Sequence, residues 1–158
     1  MKKQEEFQFK ADREQEAMQW YIQTKKSKFN ENISSTESPT KYSSFDNWVE
    51  SGATEYITEA KVRTDYRGFQ IDRFGGAMFE HNKLAGIVNY KEKFGHNHPI
   101  LYFNFFKDEL RIYAIKDDLT EYTWYQKRLP KDNYDKSLIW KWVTNLNKSC
   151  LIETIKYK

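Results

Sequence analysis

The sequence has little cysteine, proline or glycine: one, three and six residues among its 158. The single cysteine, Cys150, excludes an internal disulfide and any metal site built from several thiolates, and it is typical of a reducing compartment. The low proline and glycine content argues against a disordered chain. We therefore expect a folded protein of the cytoplasm.

Long hydrophobic runs are missing as well. No stretch approaches the ~20 apolar residues of a membrane span. The Met-Lys-Lys start continues with Gln-Glu-Glu instead of an apolar signal region. The sequence therefore predicts a protein that is neither secreted nor embedded in a membrane.

An excess of one charge is also absent, since 26 basic and 23 acidic residues leave a net charge of +3. Such a balance permits a polyanionic partner without requiring one. Aromatic residues, in contrast, are abundant: 11 Tyr, 11 Phe and 5 Trp. Rings should therefore build much of the core. At this length a single domain over 1–158 is the simplest organisation.

The most informative stretch is a predicted β-hairpin around residues 51–54, Ser-Gly-Ala-Thr. Its Gly-X centre is typical of a two-residue type II′ turn, which pairs residue 51 with 54. Alternate residues of a strand share a face, so Glu59 and Lys61 should project to the same side. Counting outward from the turn places Asp46 directly opposite Glu59. Two facing carboxylates are unfavourable unless a divalent cation lies between them, so the hairpin predicts a metal site.

A second interpretation of the same strand is structural. Glu59, Lys61 and Arg63 would then form an exposed ladder on a solvated face, a frequent pattern that contributes little energy. The opposed Asp46 and the order of the surrounding elements favour the metal site.

Periodicity and turn signals predict the other elements. A capping box from Asp12 to Gln15 should open a helix that runs to about Lys25. The remaining predictions are a loop or weak edge strand over 30–43, hairpin strands over 44–50 and 54–63, a helix over 70–91 with an irregular or glycine-packed start, a central apolar strand over 100–106, and further strands over 110–115, 122–127, 138–143 and 150–155.

Glu14 lies on the inward stripe of the first predicted helix, which Ala17, Met18, Tyr21 and Ile22 form. An acid at this end is favoured by the helix dipole, and that is the simpler explanation. A functional acid is the alternative.

The order of helix, strand with Asp46, strand with Glu59-x-Lys61, helix and apolar strand resembles the core of the PD-(D/E)xK nuclease superfamily, in particular its compact phage and bacterial members. The resemblance covers about residues 12–115. It implies an α/β restriction-endonuclease-like fold, in which helices flank a central mixed β-sheet. Residues 116–158 would add C-terminal strands.

The resemblance also implies roles for single residues. Asp46 and Glu59 would bind Mg²⁺ or Mn²⁺, Lys61 would position or help to deprotonate the attacking water, and Glu14 would complete the site. Many members place a further Gln or Lys after the Glu-x-Lys strand or on the next helix. Here the candidates are Gln70, which is the nearest in sequence, Arg73 and Lys83.

The function implied is Mg²⁺-dependent cleavage of DNA by an endonuclease, structure-selective and of phage or mobile-element type, in the cytoplasm of a bacterial or infected cell. Nucleic-acid contacts are expected from residues that flank the site: Lys25, Lys26, Lys28, Arg63, Arg67 and Gln70. A homodimer is left open. Two alternatives remain, a catalytically inactive nuclease fold that binds nucleic acid or builds a particle, and a plain protein-interaction domain.

Other motifs carry weaker signals. His96-Asn97-His98 shares its letters with the HNH nuclease motif, but its compact spacing favours a turn. Asp117-Asp118 could bind a cation, although a solvated turn explains the pair as well. Rings and cations alternate over 124–128, as on surfaces that stack bases and hold phosphates, but core packing is the more conservative interpretation of these rings.

Overall fold

The computed structural model describes residues 13–38, 45–131 and 135–157. Asp12, the predicted N-cap, lies outside these ranges. The helices are α1 (Glu14–Lys28), α2 (Gly68–Arg73) and α3 (His81–Phe94). The strands are β1 (Ile33–Glu37), β2 (Asn47–Ser51), β3 (Thr54–Arg63), β4 (Ala77–Glu80), β5 (Ile100–Phe106), β6 (Glu109–Ile115), β7 (Tyr125–Pro130), β8 (Leu138–Leu146) and β9 (Leu151–Lys156).

The architecture is α/β, with a central mixed sheet flanked by helices, as the sequence predicts. Six strands follow the order β1-β2-β3-β5-β6-β9. The β3–β5 pair is parallel and the other pairs of this sheet are antiparallel. The crossover that parallel pairing requires contains α2, β4 and α3. The predicted weak edge strand within 30–43 is present as β1.

The two faces of the sheet carry separate cores. On one face, Met18 and Tyr21 of α1 pack in a cluster with Ala60 and Val62 of β3. On the other face, residues of α3 such as Leu84 cluster with alternate residues of the same strands, including Ile57 and Tyr102. Strand β5 lies in the middle, and all seven of its residues are buried. This position confirms the predicted central strand and explains why it is apolar on both faces.

The predicted helix over 70–91 is wrong in its first half. Helix α2 ends at Arg73, and a short strand, β4, separates it from α3. Gly75 and Gly76 have φ of +90° and +124°, a region that helical residues cannot adopt. A Cβ built on Gly76 would lie 2.0 Å from the carbonyl oxygen of Leu146. The glycine pair therefore ends the helix and lets β4 approach β8, with which it pairs.

The C-terminal strands fall into two sheets. Strand β9 extends the main sheet beside β6, whereas β7 and β8 join β4 in a three-stranded sheet of order β4-β8-β7. These strands overlap the stretches predicted over 122–127, 138–143 and 150–155. In the part of the chain that the structure describes, no helix has the length and apolarity needed to cross a membrane.

Helix α1 starts differently from the predicted capping box. Arg13 occupies the N-cap position and makes no side-chain cap hydrogen bond. Gln15 is not used as a cap: its Nε2 donates to Asn47 Oδ1 at 2.8 Å, and its Oε1 accepts from Asn47 Nδ2 at 3.1 Å. This amide pair fastens the first turn of α1 to the start of β2, next to Asp46.

Candidate active site

The hairpin that positions the candidate site has the predicted register. Gly52 has φ +62°, while Ala53 is outside the positive-φ region, as a type II′ turn requires. Ser51 pairs with Thr54, and the ladder continues to Asn47 opposite Thr58. One step further, the same count places Asp46 opposite Glu59.

Asp46 lies just before β2 and is held against β3. Its N–H donates to the carbonyl oxygen of Thr58 at 3.0 Å, and its Oδ2 accepts from the N–H of Ala60 at 2.8 Å. The side chain therefore caps a backbone donor of β3 immediately after Glu59. Asp46 is half-buried, so its carboxylate is fixed in position while part of it stays accessible.

Glu59 is only 2% exposed. Its Oε1 lies 3.4 Å from the Lys83 ammonium, while its Oε2 is buried with no hydrogen-bond partner among the described residues. Burial, and next the negative charge of Asp46, raise the pKa of Glu59 to about 8, against the opposing effect of Lys83 and Lys61. This burial excludes an exposed ladder as the explanation of the strand.

Two lysines share the face of Glu59. Lys61 follows two residues later on β3 and is half-buried. Lys83 comes from the first turn of α3, and the charge of Glu59, with a smaller contribution from Asp46, raises its pKa above the ordinary value. The structure thus brings four side chains together: Asp46, Glu59, Lys61 and Lys83.

Of the three candidates for an additional polar residue, Lys83 is the one in contact with Glu59. Gln70, the nearest in sequence, accepts the N–H of Arg67 at 2.7 Å and so caps α2. Arg73 lies over the Phe69 ring, 5.2 Å from its centroid. Distance along the sequence does not predict this contact. Strand β4 lies between α2 and α3, and the start of α3 brings Lys83 back to β3, where Glu59 lies.

Glu14 is half-buried in the first turn of α1. Helix α1 packs on the face of β3 that carries Ala60 and Val62, which is opposite to the face of Glu59. The Gln15–Asn47 amide pair nevertheless brings this turn to the end of β2 where Asp46 lies. A role for Glu14 in the site stays a prediction.

The predicted nucleic-acid contacts have different surroundings. Lys25 is buried, forms an ion pair with Glu153, and lies 3.5 Å from Glu31. Arg67 is half-buried at the N-cap of α2, and Lys26 is exposed. As predicted contacts with nucleic acid, these three side chains stay untested.

Arg63 is half-buried and points into the structure. Its guanidinium donates to Asn104 Oδ1 at 3.0 Å, to the Tyr102 hydroxyl at 2.9 Å and to the Met78 carbonyl at 3.3 Å. These bonds join β3, β5 and β4 directly beside the candidate site. Any contact of Arg63 with a ligand would be made by a guanidinium that the protein already holds rigidly.

A cleft of about 630 Å³ opens above these residues, between β3, β4 and the start of α3 on one side and the β7–β8 pair on the other. We call it the basic cleft, because its charged lining consists of six cations and one acid: Lys61, Arg63, Lys83, Lys131, Lys136, Lys141 and Glu80. A smaller cavity, which shares Lys61, Arg63 and Lys83 with the cleft, is lined by Glu59. Glu59 therefore lines a small cavity that adjoins the basic cleft.

Three lysines near Glu59 could not be found by reasoning from the sequence: Lys131, Lys136 and Lys141. They reach the cleft only because β8 pairs with β4 across 60 or more residues of sequence. The alternating rings and cations near residue 125 were the one available signal. That signal marks strand β7, but it does not show which side of the β7–β8 pair faces the site.

The remaining motifs are structural in the described chain. Residues 96–99 form the irregular connection from α3 to β5, and His96 stacks on the Tyr90 ring with centroids 5.6 Å apart. Asp117 accepts from the Lys91 ammonium at 2.9 Å, and Asp118 caps a 3₁₀ turn by accepting from the N–H of Thr120 at 2.9 Å. The described residues contain no group of three or more His, Cys, Asp or Glu suited to a metal ion.

Comparisons with known proteins find a structural similarity but no sequence match. No protein-family model matches the chain, and no curated protein matches its sequence. Among solved structures, the 1.6 Å structure of Hjc from Archaeoglobus fulgidus, a Holliday junction resolvase from an archaeal hyperthermophile, is similar, with a TM-score of 0.43 and 8% identity over 88% of this chain and 94% of that chain.

Proposed function

We propose that the protein is a metal-dependent nuclease of the PD-(D/E)xK type that hydrolyses phosphodiester bonds of DNA in the basic cleft. One observation carries the proposal. A buried carboxylate, Glu59, has an oxygen without a hydrogen-bond partner among the described residues. The residue lines a cavity beside a cleft lined by cations, shares this cavity with Lys61, and interacts electrostatically with Asp46. Buried polar atoms are normally satisfied, so this oxygen needs a further partner, which is either a proton or a cation.

The two carboxylates fit a divalent cation. Mg²⁺ is commonly held by one or two protein carboxylates, with waters and substrate phosphates as the other ligands. Asp46 keeps one oxygen on the N–H of Ala60, and Glu59 has its unpartnered Oε2, so these two residues would hold Mg²⁺ or Mn²⁺. When bound, the ion would neutralise charge on the phosphate and make a water molecule more acidic.

The protein's own residues supply the rest of the chemistry. The Lys61 ammonium is a donor that can orient the attacking water and stabilise the negative charge that develops on it. Lys83 neutralises Glu59 and keeps its carboxylate in place. The cations of the basic cleft would bind the phosphates on either side of the scissile bond. Glu14 is the proposed third acid.

The proposal includes the finer features that the resemblance implies, namely endonucleolytic and structure-selective cleavage of DNA by a cytoplasmic protein of phage or mobile-element type. A homodimer is compatible with it. The main alternative is a catalytically inactive nuclease fold that binds DNA. The basic cleft supports this alternative, because its cations would hold phosphates whether or not hydrolysis follows.

Cleavage assays on plasmid and branched DNA with Mg²⁺ or Mn²⁺ test the proposal. We expect Asp46→Ala and Lys61→Ala to lower the rate at least a hundredfold, and Lys93→Ala, which removes an exposed cation of α3, to leave it unchanged. Binding measured in EDTA should persist in both site variants. Cleavage that neither site variant affects would refute the assigned site, whereas wild-type binding without cleavage would support the inactive alternative.

A further inference from the structure

Strands β7 and β8 form a ribbon at the side of the basic cleft. Among the described residues, strand β7 pairs with β8 alone, over residues 125–130 and 138–143. Within the same part of the chain, β8 pairs with β4 from Val143 onward. In the described chain, residues 138–142 are therefore joined in the sheet to β7 alone. We call residues 125–131 and 135–142 the ribbon.

The register assigns each side chain of the ribbon to one of two faces, because directly opposed residues share a face. Leu129 pairs with Ile139, and Lys127 pairs with Lys141. Since Leu129, Ile139 and Lys141 line the basic cleft, this is the cleft face. The other face, the outer face, carries Leu138, Trp140 and Trp142 of β8, with Arg128 opposite Trp140 and Gln126 opposite Trp142. Pro130, at the end of β7, lines the cleft instead.

The outer face exposes large apolar side chains. Trp140 is 64% exposed, Trp142 52% and Leu138 53%. The guanidinium of Arg128 lies over the Trp140 ring, 5.8 Å from its centroid. Contiguous exposed aromatics of this kind normally mark a binding surface.

Charge decides which partner suits this surface. Residues 125–143 contain five basic and two acidic residues, so this short segment carries as large an excess of positive charge as the whole chain. Arg128 is the cation of the outer face, while Lys127 and Lys141 lie on the cleft face of the same two strands. A second copy of the protein would bring the same positive segment against it. A polyanion with apolar rings, which is what a nucleic-acid strand offers, complements both the cations and the tryptophans.

We propose that the ribbon is a nucleic-acid-binding arm whose outer face stacks unpaired bases on Trp140 and Trp142. Residues two apart on a strand are separated by ~7 Å, about twice the ~3.4 Å spacing of stacked bases, so one base fits between the two rings. The two strands of the ribbon lie only ~4.8 Å apart, so a single strand can pass from the basic cleft over the edge of the ribbon to the outer face. The arm rests on the proposed function in one respect, namely that the basic cleft holds nucleic acid.

The arm gives the site a preferred class of substrate, namely DNA in which a single-stranded segment adjoins a duplex, such as a tail, a flap or an open branch. Blunt duplex offers phosphates to the cleft but has no free bases for the tryptophans. Single-stranded tails should therefore bind more tightly than their charge alone explains.

Fluorescence anisotropy in EDTA tests the arm, with the full chain and three labelled probes: a dT 20-mer, a blunt 20-base-pair duplex, and that duplex with a dT tail. We expect Trp140→Ala and Trp142→Ala each to weaken dT binding about tenfold, which is ~1.4 kcal/mol and lies within the range for the stacking of one base. Both changes should remove the preference for the tailed duplex and alter blunt-duplex affinity less than twofold.

Two sets of controls accompany these variants. Phe74→Ala removes an aromatic ring that is 64% exposed but lies at the end of α2, and it should leave all three affinities unchanged. Trp140→Phe and Trp142→Phe keep a stacking ring, so they should retain dT affinity within about threefold. If the phenylalanine variants retain dT affinity and the alanine variants lose it, the loss is caused by the missing stacking ring and not by damage to the ribbon.

Wild-type dT affinity in the Trp140→Ala, Trp142→Ala double variant would overturn the proposal. So would sedimentation that shows a wild-type dimer, a monomeric double variant and unchanged dT affinity, because the outer face would then be an interface between copies. The two proposals can fail separately. A protein with tryptophan-dependent dT binding but without cleavage would refute the nuclease and support the arm, whereas cleavage without any role for the tryptophans would do the reverse.

Discussion

The two oxygens of Glu59 have different surroundings, and this difference decides how the residue can act. One lies 3.4 Å from the Lys83 ammonium, and the other is buried without a hydrogen-bond partner among the described residues. Such a carboxylate is satisfied either by a proton or by a second cation. The pKa of Glu59 rises to about 8 for this reason, with burial as the main cause and Asp46 as the next.

Glu59→Gln should therefore stabilise the metal-free protein in a pH-dependent way. Folding raises the pKa of Glu59 from 4.5 to about 8, so between these values the folded protein keeps a proton that the unfolded chain has released. The contribution of Glu59 to stability is full below about pH 4.5 and is lost as the pH rises through 8. We expect the advantage of Glu59→Gln to grow by roughly 4 kcal/mol between about pH 5 and pH 9.

Urea unfolding from pH 5 to pH 9 without divalent ions measures this effect. Glu92→Gln, a matched change at an exposed position of α3, serves as the control and should show no such trend. A constant offset between Glu59→Gln and wild type across the whole range would contradict the raised pKa.

The same proton links metal binding to pH. A divalent cation requires ionised carboxylates, so below pH 8 its binding must release the proton of Glu59. Isothermal titration with Mn²⁺ should show an affinity about twentyfold higher at pH 8.5 than at pH 6.5. Asp46→Asn keeps an acceptor for the Ala60 N–H but removes the negative charge, so it should weaken Mn²⁺ binding at both pH values. Equal affinities at the two pH values would indicate that Glu59 is not a ligand.

At the scale of elements, the hairpin is the part that local sequence determines best. The glycine in the turn, the alternation along β3 and the count from residue 51 to Asp46 are all short-range features, and the register follows from them. The apolar strand β5 was predictable for a similar reason, because seven consecutive buried residues leave few alternatives. The positions of Asp46 and Glu59 could thus be predicted without any knowledge of the rest of the fold.

The stretch between β3 and β5 could not be predicted in the same way. Apolar residues at helical spacing suggested one helix over 70–91, but Phe74 is exposed and Met78 lines the basic cleft. The short strand β4 is stable only because β8, from a distant part of the chain, pairs with it. Since Lys83 follows β4 directly, its contact with Glu59 was hidden for the same reason.

Gly76 should be the most sensitive position in this region. With φ +124° and a built Cβ only 2.0 Å from the Leu146 carbonyl oxygen, an alanine there would force β4 and β8 apart. We expect Gly76→Ala to lower the free energy of unfolding by about 3 kcal/mol or more. Gly52→Ala is the matched comparison: its φ is +62° but no atom lies within 4 Å of the built Cβ, so the strain alone should cost about 1 kcal/mol. If urea unfolding showed that both variants lose a similar free energy of unfolding, the close approach of Gly76 to β8 would not contribute to the cost of the substitution.

At the scale of the whole molecule, the two faces of the main sheet differ in how completely they are covered. The α1 face is a closed apolar core. The other face is closed only in part, because α3 and the second sheet leave the basic cleft between them. The cleft could not be foreseen from net charge, since the basic residues that line it come from separate segments and become a cluster only in the fold.

The location of charge, rather than its total amount, should therefore control binding to DNA. Lys131 and Lys136 line the basic cleft, and replacing both by alanine should reduce the slope of log K against log salt concentration by about 1.8 for duplex DNA, because each phosphate contact contributes ~0.9. The pair Lys93→Ala, Lys116→Ala removes the same charge from positions outside the cleft and should leave the slope nearly unchanged. Anisotropy titrations in EDTA from 50 to 200 mM salt would measure both variants. If the two pairs reduced the slope equally, DNA would be attracted by the protein's overall charge, and the basic cleft would not be its binding site.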